Sequence, residues 1–224
     1  MATISEMHIV VVADISGSMS SMGDTPRIKL NEFIKEQHGK EQHGEVSIDC
    51  WTFSDTHQLL FENKSVAEAH ITELTPNGGT ALYASLGYII DKTGQKLANM
   101  PEASRPQRVI VVIYTDGEEN SSKGEYSGER GRLLVKSKIE HQQSVYSWVF
   151  LFLGSNIDAV QNGTSIGITP ETCLNYKSNE YGYNAVFRSA SQALERVRSV
   201  VPSANENHAE VIKRVAFTEE DRQM

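Results

Sequence analysis

Ile9-Val10-Val11-Val12-Ala13-Asp14-Ile15-Ser16-Gly17-Ser18-Met19 is the stretch on which the fold turns. Its β-branched apolar start is that of a strand buried on both faces, the pattern of a parallel sheet covered by helices. The run then stops at an aspartate and two serines at alternate positions around a glycine. A carboxylate and two hydroxyls on the loop leaving a buried strand are hard oxygen donors. Mg²⁺ prefers such donors, and these are too few to fill an octahedron.

The same grammar recurs downstream. Val109-Ile-Val-Val-Ile-Tyr114 is a second buried run, stopped by Thr115-Asp116-Gly117-Glu118-Glu119-Asn120. A third core strand over 145–153, with Trp148, Phe150 and Phe152, ends in Gly154-Ser155-Asn156. Between the first two runs lies Thr75-Pro-Asn-Gly-Gly-Thr80, a loop ahead of a helix that starts near Ala81 and buries Leu82, Leu86, Ile89, Ile90 and Leu97. Thr25-Pro26 opens an earlier helix to about Gln37, with Ile28, Leu30, Phe33 and Ile34 as its apolar face. Residues 45–53 alternate as a strand, and 56–61 return as an antiparallel edge strand. Residues 66–74 read as a short helix, 130–141 as a mixed-charge helix and 157–161 as the start of another, with Asn156 serving as its N-cap. A last short strand fits 171–176 and a long helix 184–200. A short element follows at 211–217, and 218–222 reads as a frayed tail.

Strands alternating with helices make this an α/β protein with a doubly wound, mostly parallel sheet. Such sheets bind ligands beyond the carboxyl ends of their strands, where the strand order reverses. Asp14, Asp116 and Asn156 all fall at that edge. The expected organisation is one domain over 1–202, with 203–224 as its polar C-terminal extension.

Composition narrows the function. With 224 residues, 39% hydrophobic and 22% charged, the chain is an ordinary globular one. Its net charge of −8 and lack of a concentrated basic face argue against nucleic acid. No apolar run approaches a membrane span. The first residues carry no basic n-region or cleavage site, so a cytoplasmic location is expected and the N-x-[ST] matches at Asn63, Asn120 and Asn162 are accidental. Cys50 and Cys173 both sit in apolar stretches, as buried thiols of a reducing compartment do. The tandem Glu36-Gln-His-Gly39 and Glu41-Gln-His-Gly44 offers two histidines, a poor metal site and a better helix end.

Asp14-x-Ser16-x-Ser18 after the first strand, Gly78-Gly79-Thr80 before a helix and Thr115-Asp116-Gly117 after the fourth strand resemble the von Willebrand factor A (vWA) domain. The likeness covers roughly residues 6 to 200. It implies a sheet order of 3-2-1-4-5-6 with the hairpin strand at one edge. It also implies a metal-ion-dependent adhesion site at Asp14, Ser16, Ser18, Thr80 and Asp116, holding Mg²⁺ or Mn²⁺. The absence of His and Cys argues against Zn²⁺. In that order Cys50 and Cys173 lie about 19 Å apart, beyond the ~7 Å reach of a disulfide.

The resemblance further implies a non-catalytic module that takes an acidic side chain of a protein partner onto its metal, no bond being broken. Intracellular single-domain relatives in bacteria and phages work with ATPases or assembly machinery, which makes an ATPase or an assembly component the candidate partner. Other readings stay open. Ser16, Ser18 and Thr80 also suit helix caps, the glycines turns, and the aspartates loop caps. Glu118 and Glu119 read as exposed rim charges. An aspartate after the first strand plus Mg²⁺ also describes a phosphohydrolase with Asp14 as nucleophile. That chemistry wants an acid where Ser16 stands and a lysine after a strand. A structural subunit whose metal only stiffens the loops is the third possibility.

Overall fold

The computed structural model describes residues 5–38, 45–200 and 207–223. The second copy of the tandem duplication, with His43, and residues 201–206 lie outside these. Six strands form one sheet in the order β3-β2-β1-β4-β5-β6. They are β1 (Ser5–Asp14), β2 (Glu45–Phe53), β3 (His57–Ser65), β4 (Arg108–Thr115), β5 (Val149–Ser155) and β6 (Cys173–Tyr176). All neighbours pair in parallel except β2 and β3. The long helices are α1 (Thr25–Glu36), α2 (Leu82–Asn99), α3 (Gly128–Tyr146) and α5 (Glu180–Arg198); α4 (Ala159–Ser165), α6 (His208–Val215) and α7 (Glu219–Arg222) are short.

The apolar runs become central strands because both faces of the sheet are covered. Ile9, Val11 and Ala13 of β1 pack with Leu30, Phe33 and Ile34 of α1 and Val186, Ala190 and Leu194 of α5. Val10 and Val12 pack on the other face with Leu86, Ile89 and Ile90 of α2 and Val135 and Ile139 of α3. The strand order reverses between β1 and β4, so the crevice lies between Asp14 and Thr115, at the end of each.

Several local expectations give way to tertiary contacts. Residues 66–74 form no helix. Asn31 of α1 donates from Nδ2 to the Ile71 carbonyl (2.9 Å) and accepts from the Ile71 N–H (2.8 Å), holding this segment extended in place of a backbone partner. Ile28 is exposed while Asn31 is buried, so the apolar face of α1 begins at Leu30. Strand β3 continues past Phe61 to Ser65 because Asp49 Oδ1 takes the Asn63 N–H at 2.7 Å, where Asn63 sits at φ +50° and the ladder is irregular. Helix α3 runs on through Val145 and Tyr146, and β5 begins only at Val149. Asp158, not Asn156, caps α4, its Oδ1 accepting the Gln161 N–H at 2.8 Å.

The expected frayed tail is a folded turn. Thr218 and Asp221 make a reciprocal capping box at the start of α7, and Arg222 donates to the carbonyls of Pro170, Glu171 and Cys173 beside β6. Val211, Ile212, Val215 and Phe217 join the core on the α5 face. Cys50 on β2 and Cys173 on β6 are free, buried and separated by three strands. Among the described residues no helix is long and apolar enough to cross a membrane.

Candidate metal centre

The crevice at the β1/β4 switch gathers the five residues named from the sequence. Asp14 closes β1 with its side chain only 1% exposed. Its Oδ1 accepts the Ser16 N–H at 2.6 Å and its Oδ2 the Thr115 hydroxyl at 2.5 Å. Ser16 and Ser18 face each other with their hydroxyl oxygens 3.1 Å apart, and Ser18 donates to Asp116 Oδ1 at 2.7 Å. Thr80 arrives from the loop before α2. A Cβ added to Gly117 would lie 3.1 Å from the Thr80 hydroxyl and 4.0 Å from that of Ser18, so Gly117 is the gap through which these oxygens come together. Ser16, Thr80 and Asp116 are buried, whereas Ser18 reaches solvent and leaves the site open on that side.

The loops are held by backbone pairing. The Ile15 N–H bonds to the Phe53 carbonyl (2.8 Å), Asn77 N–H to Ile15 (2.8 Å) and Gly17 N–H to Gly78 (3.0 Å). Gly78 stands at φ +67°, and any side chain there would collide with the Asp55 carboxylate. Asp55 in turn accepts the Gly79 N–H at 3.1 Å.

Helix α2 has no side-chain cap of its own, because Ala81 precedes it. The loop after β4 supplies one across space. Glu119 accepts the Tyr83 N–H (2.8 Å), the Ser121 and Ser122 N–H groups (3.0 and 2.7 Å) and the Ser122 hydroxyl (2.6 Å). Ser122 Oγ accepts the Ala84 N–H at 3.0 Å, and Asn120 Oδ1 the Thr80 N–H at 2.8 Å. A carboxylate facing the free N–H groups of a helix start also meets the positive end of its dipole. Asp116 and Thr80, one on each side of the crevice, are thereby fixed to one another. Glu118 is exposed, as expected of a rim charge; Glu119 is a structural acceptor. Neither Glu119 nor Thr115 was legible as such, since a loop's capping partner is not encoded at a fixed sequence offset.

Burial pushes the Asp14 carboxyl up to about 6, against the pull of the Thr115 and Ser16 hydrogen bonds, with the Asp116 charge adding a little. Burial raises Asp116 also, opposed by Ser18. Among the described residues no lysine, arginine or histidine pairs with either aspartate, and the ion pairs these residues do form lie elsewhere, as at Lys96–Asp49 and Lys138–Asp91. Two carboxylates without a counter-charge, beside three neutral hydroxyls, fit a small hard cation. No cluster of three or more His, Cys, Asp or Glu side chains occurs among the described residues. Asn156, at φ +57° past β5, contributes nothing to it that the structure displays.

The fold is that of the vWA domain. No family model matches the sequence, and no curated protein does. Solved structures do share the fold. The ArnB paralog VWA2 from Sulfolobus acidocaldarius superposes with a TM-score of 0.53 at 13% identity, covering 86% of this chain and 46% of its own. Proximal thread matrix protein 1 from the mussel byssus, with a zinc-occupied MIDAS motif, gives 0.54 at 16% identity over 84% of this chain and 45% of its own. The pilus adhesin SpaC from Lactobacillus rhamnosus GG gives 0.61 at 12% over 86% and 31%. The chain thus spans half or less of the length of these neighbours.

Proposed function

We propose that the protein binds a divalent cation through Asp14, Ser16, Ser18, Thr80 and Asp116 and uses it to take an acidic side chain of a protein partner, without catalysis. The observation that carries this reading is the pair of buried, uncompensated aspartates facing three hydroxyls. Neutral hydroxyls leave the ion electrophilic, so an open position favours an incoming carboxylate. Mg²⁺ or Mn²⁺ suits the donors best. The zinc-occupied MIDAS motif of the mussel protein removes the lack of His and Cys as an argument against zinc, so the three ions are to be compared directly.

An ATPase or assembly component in the cytoplasm remains the candidate partner, and the two free buried thiols support a reducing compartment. A phosphohydrolase is disfavoured because Asp14 is held by Ser16 and Thr115, with no lysine among the described residues paired to it. A purely structural metal would bind the same residues and leave partner binding intact.

Thr80→Ala tests the reading. It deletes one hydroxyl while the Asn120 contact to the Thr80 backbone survives. Calorimetric titration with each ion should show roughly tenfold or more weaker binding at unchanged fold, in line with the loss of one direct ligand. With a partner in hand, loss of its acidic residue and Thr80→Ala should not add; additive losses place the contact elsewhere. Phosphate-ester hydrolysis abolished by Asp14→Asn would establish the enzyme instead.

A further inference from the structure

Asn-Gly pairs occur at Asn77-Gly78 and at Asn162-Gly163. In such a pair the glycine nitrogen can attack the asparagine Cγ, since no side chain on the glycine screens it. The fold treats the two pairs in opposite ways. Asn162 and Gly163 lie inside helix α4. Asn162 donates both its N–H (2.8 Å) and its Nδ2 (2.9 Å) to the Asp158 carbonyl. Gly163 is buried so close to Cys173 of β6 that an added Cβ would collide with the sulfur. A helical backbone does not let the asparagine side chain close a ring onto the next nitrogen, and the helix ladder already holds that nitrogen's proton.

Asn77 and Gly78 are both exposed, in the loop ahead of Thr80. Gly78 stands at φ +67°, and its N–H donates to no group among the described residues. The Ser54 hydroxyl donates to Asn77 Oδ1 at 3.2 Å, which draws electrons from Cγ and can hold the oxyanion formed when a nitrogen adds there. Asn77 Nδ2, the nitrogen that must leave, donates to the Thr75 carbonyl at 3.0 Å on the exposed side. The pair also sits between two ties. Asn77 N–H bonds to the Ile15 carbonyl and the Gly78 carbonyl accepts the Gly17 N–H, which joins the Thr80 loop to the loop of Asp14, Ser16 and Ser18.

We propose that Asn77-Gly78 is a site of spontaneous covalent modification, at which conversion to isoaspartate breaks the tie between these loops. The Gly78 nitrogen bonds to Asn77 Cγ, and its proton passes through water to Nδ2. The Cγ–Nδ2 bond breaks, ammonia leaves and a succinimide remains. Water then opens the ring, and no electrons change hands. Addition at the Cγ carbonyl breaks the new Cγ–N bond and gives aspartate. Addition at the main-chain carbonyl breaks the original peptide bond and gives isoaspartate, with the chain running through Cγ. The isoaspartate places an extra carbon between the Asn77 N–H and the Gly78 carbonyl, so the bonds to Ile15 and Gly17 cannot both keep their register.

The proposal does not depend on the cation reading and is tested on the full chain in EDTA. Folded protein is aged in mildly alkaline buffer and mapped by peptide mass spectrometry, with fragmentation that separates aspartate from isoaspartate. Acid should accumulate at Asn77, with isoaspartate among the products, while Asn162 stays an amide. In urea, where both pairs are released from the fold, the two should convert together. An unconverted Asn77 in the aged native chain, or Asn162 converting alongside it, overturns the proposal. Amide exchange on the aged protein reads the tie itself. Gly17 should lose protection in the isoaspartate fraction and keep it in Asn77→Gln protein aged in parallel. Protection retained at Gly17 in the isoaspartate fraction overturns the broken tie.

Discussion

Replacing Asp14 by asparagine should stabilise the metal-free protein near neutral pH. The folded chain holds this carboxyl at about 6, against an ordinary 3.8, because burial opposes its charge. Between roughly pH 4 and 6 the folded state therefore binds more protons than the unfolded one, and stability falls as pH rises through that window. Raising a carboxyl by about two pH units, at ~1.4 kcal/mol for each, makes the full cost about 3 kcal/mol above pH 7, most of it gone by pH 4. Asparagine keeps the geometry. Its Oδ1 can accept the Ser16 N–H, and Thr115 can turn its proton to the Gly117 carbonyl, 3.0 Å away, while accepting from the new amide.

Urea unfolding in EDTA at pH 7.5 should place Asp14→Asn above wild type by about 1–3 kcal/mol, with the gap narrowing towards pH 4. The comparison with the variant isolates Asp14 from groups such as Asp49, held down near 2, whose contribution has the opposite sign and is lost only as pH falls below 4. Adding Mg²⁺ at a hundred times its Kd should stabilise wild type by about 2.7 kcal/mol and the variant far less, so that the order of the two closes or reverses. A variant no more stable than wild type in EDTA at pH 7.5, or one stabilised equally by Mg²⁺, would refute the assignment of Asp14 as an uncompensated buried charge awaiting a cation.

Glu119→Ala removes the acceptor of four donors in the loop that caps α2, and it should cost about 1–3 kcal/mol of stability and weaken metal binding although Glu119 is no ligand. Unchanged cation affinity in the folded variant would show that Thr80 and Asp116 do not rely on that cap. Burial pushes the Cys173 thiol up to about 12 and the Cys50 thiol higher still, so both should resist a thiol reagent at pH 8 until urea unfolds the chain and then react in a ratio of two. Prompt labelling of either in the native protein would contradict their placement. Asn31→Ala should cost about 1–3 kcal/mol by leaving both backbone groups of Ile71 unpaired, and a neutral result in urea unfolding would refute the role given to that amide.

The sequence by itself determined the strands and the corner they end in. A run such as Val109 to Tyr114 is buried on both faces wherever it sits in the sheet, so its composition alone announces a central strand. Asp14, Ser16 and Ser18 are legible because the backbone spacing of one short loop places them, and Thr80 and Asp116 because each opens or closes an element whose pattern is local. The tertiary structure alone decided what those elements rest on. Glu119 caps a helix that begins 37 residues earlier, Asn31 stands in for a strand beside Ile71, and Arg222 seals the edge of β6. Residues 66–74 carry a helical look that a pair of side-chain hydrogen bonds overrules, and 218–222 look too polar to fold until Thr218 and Asp221 satisfy each other. Periodicity reports which face of an element is apolar. It says nothing of which distant side chain will take a given backbone N–H, because that choice is made only when packing brings the two within about 3 Å.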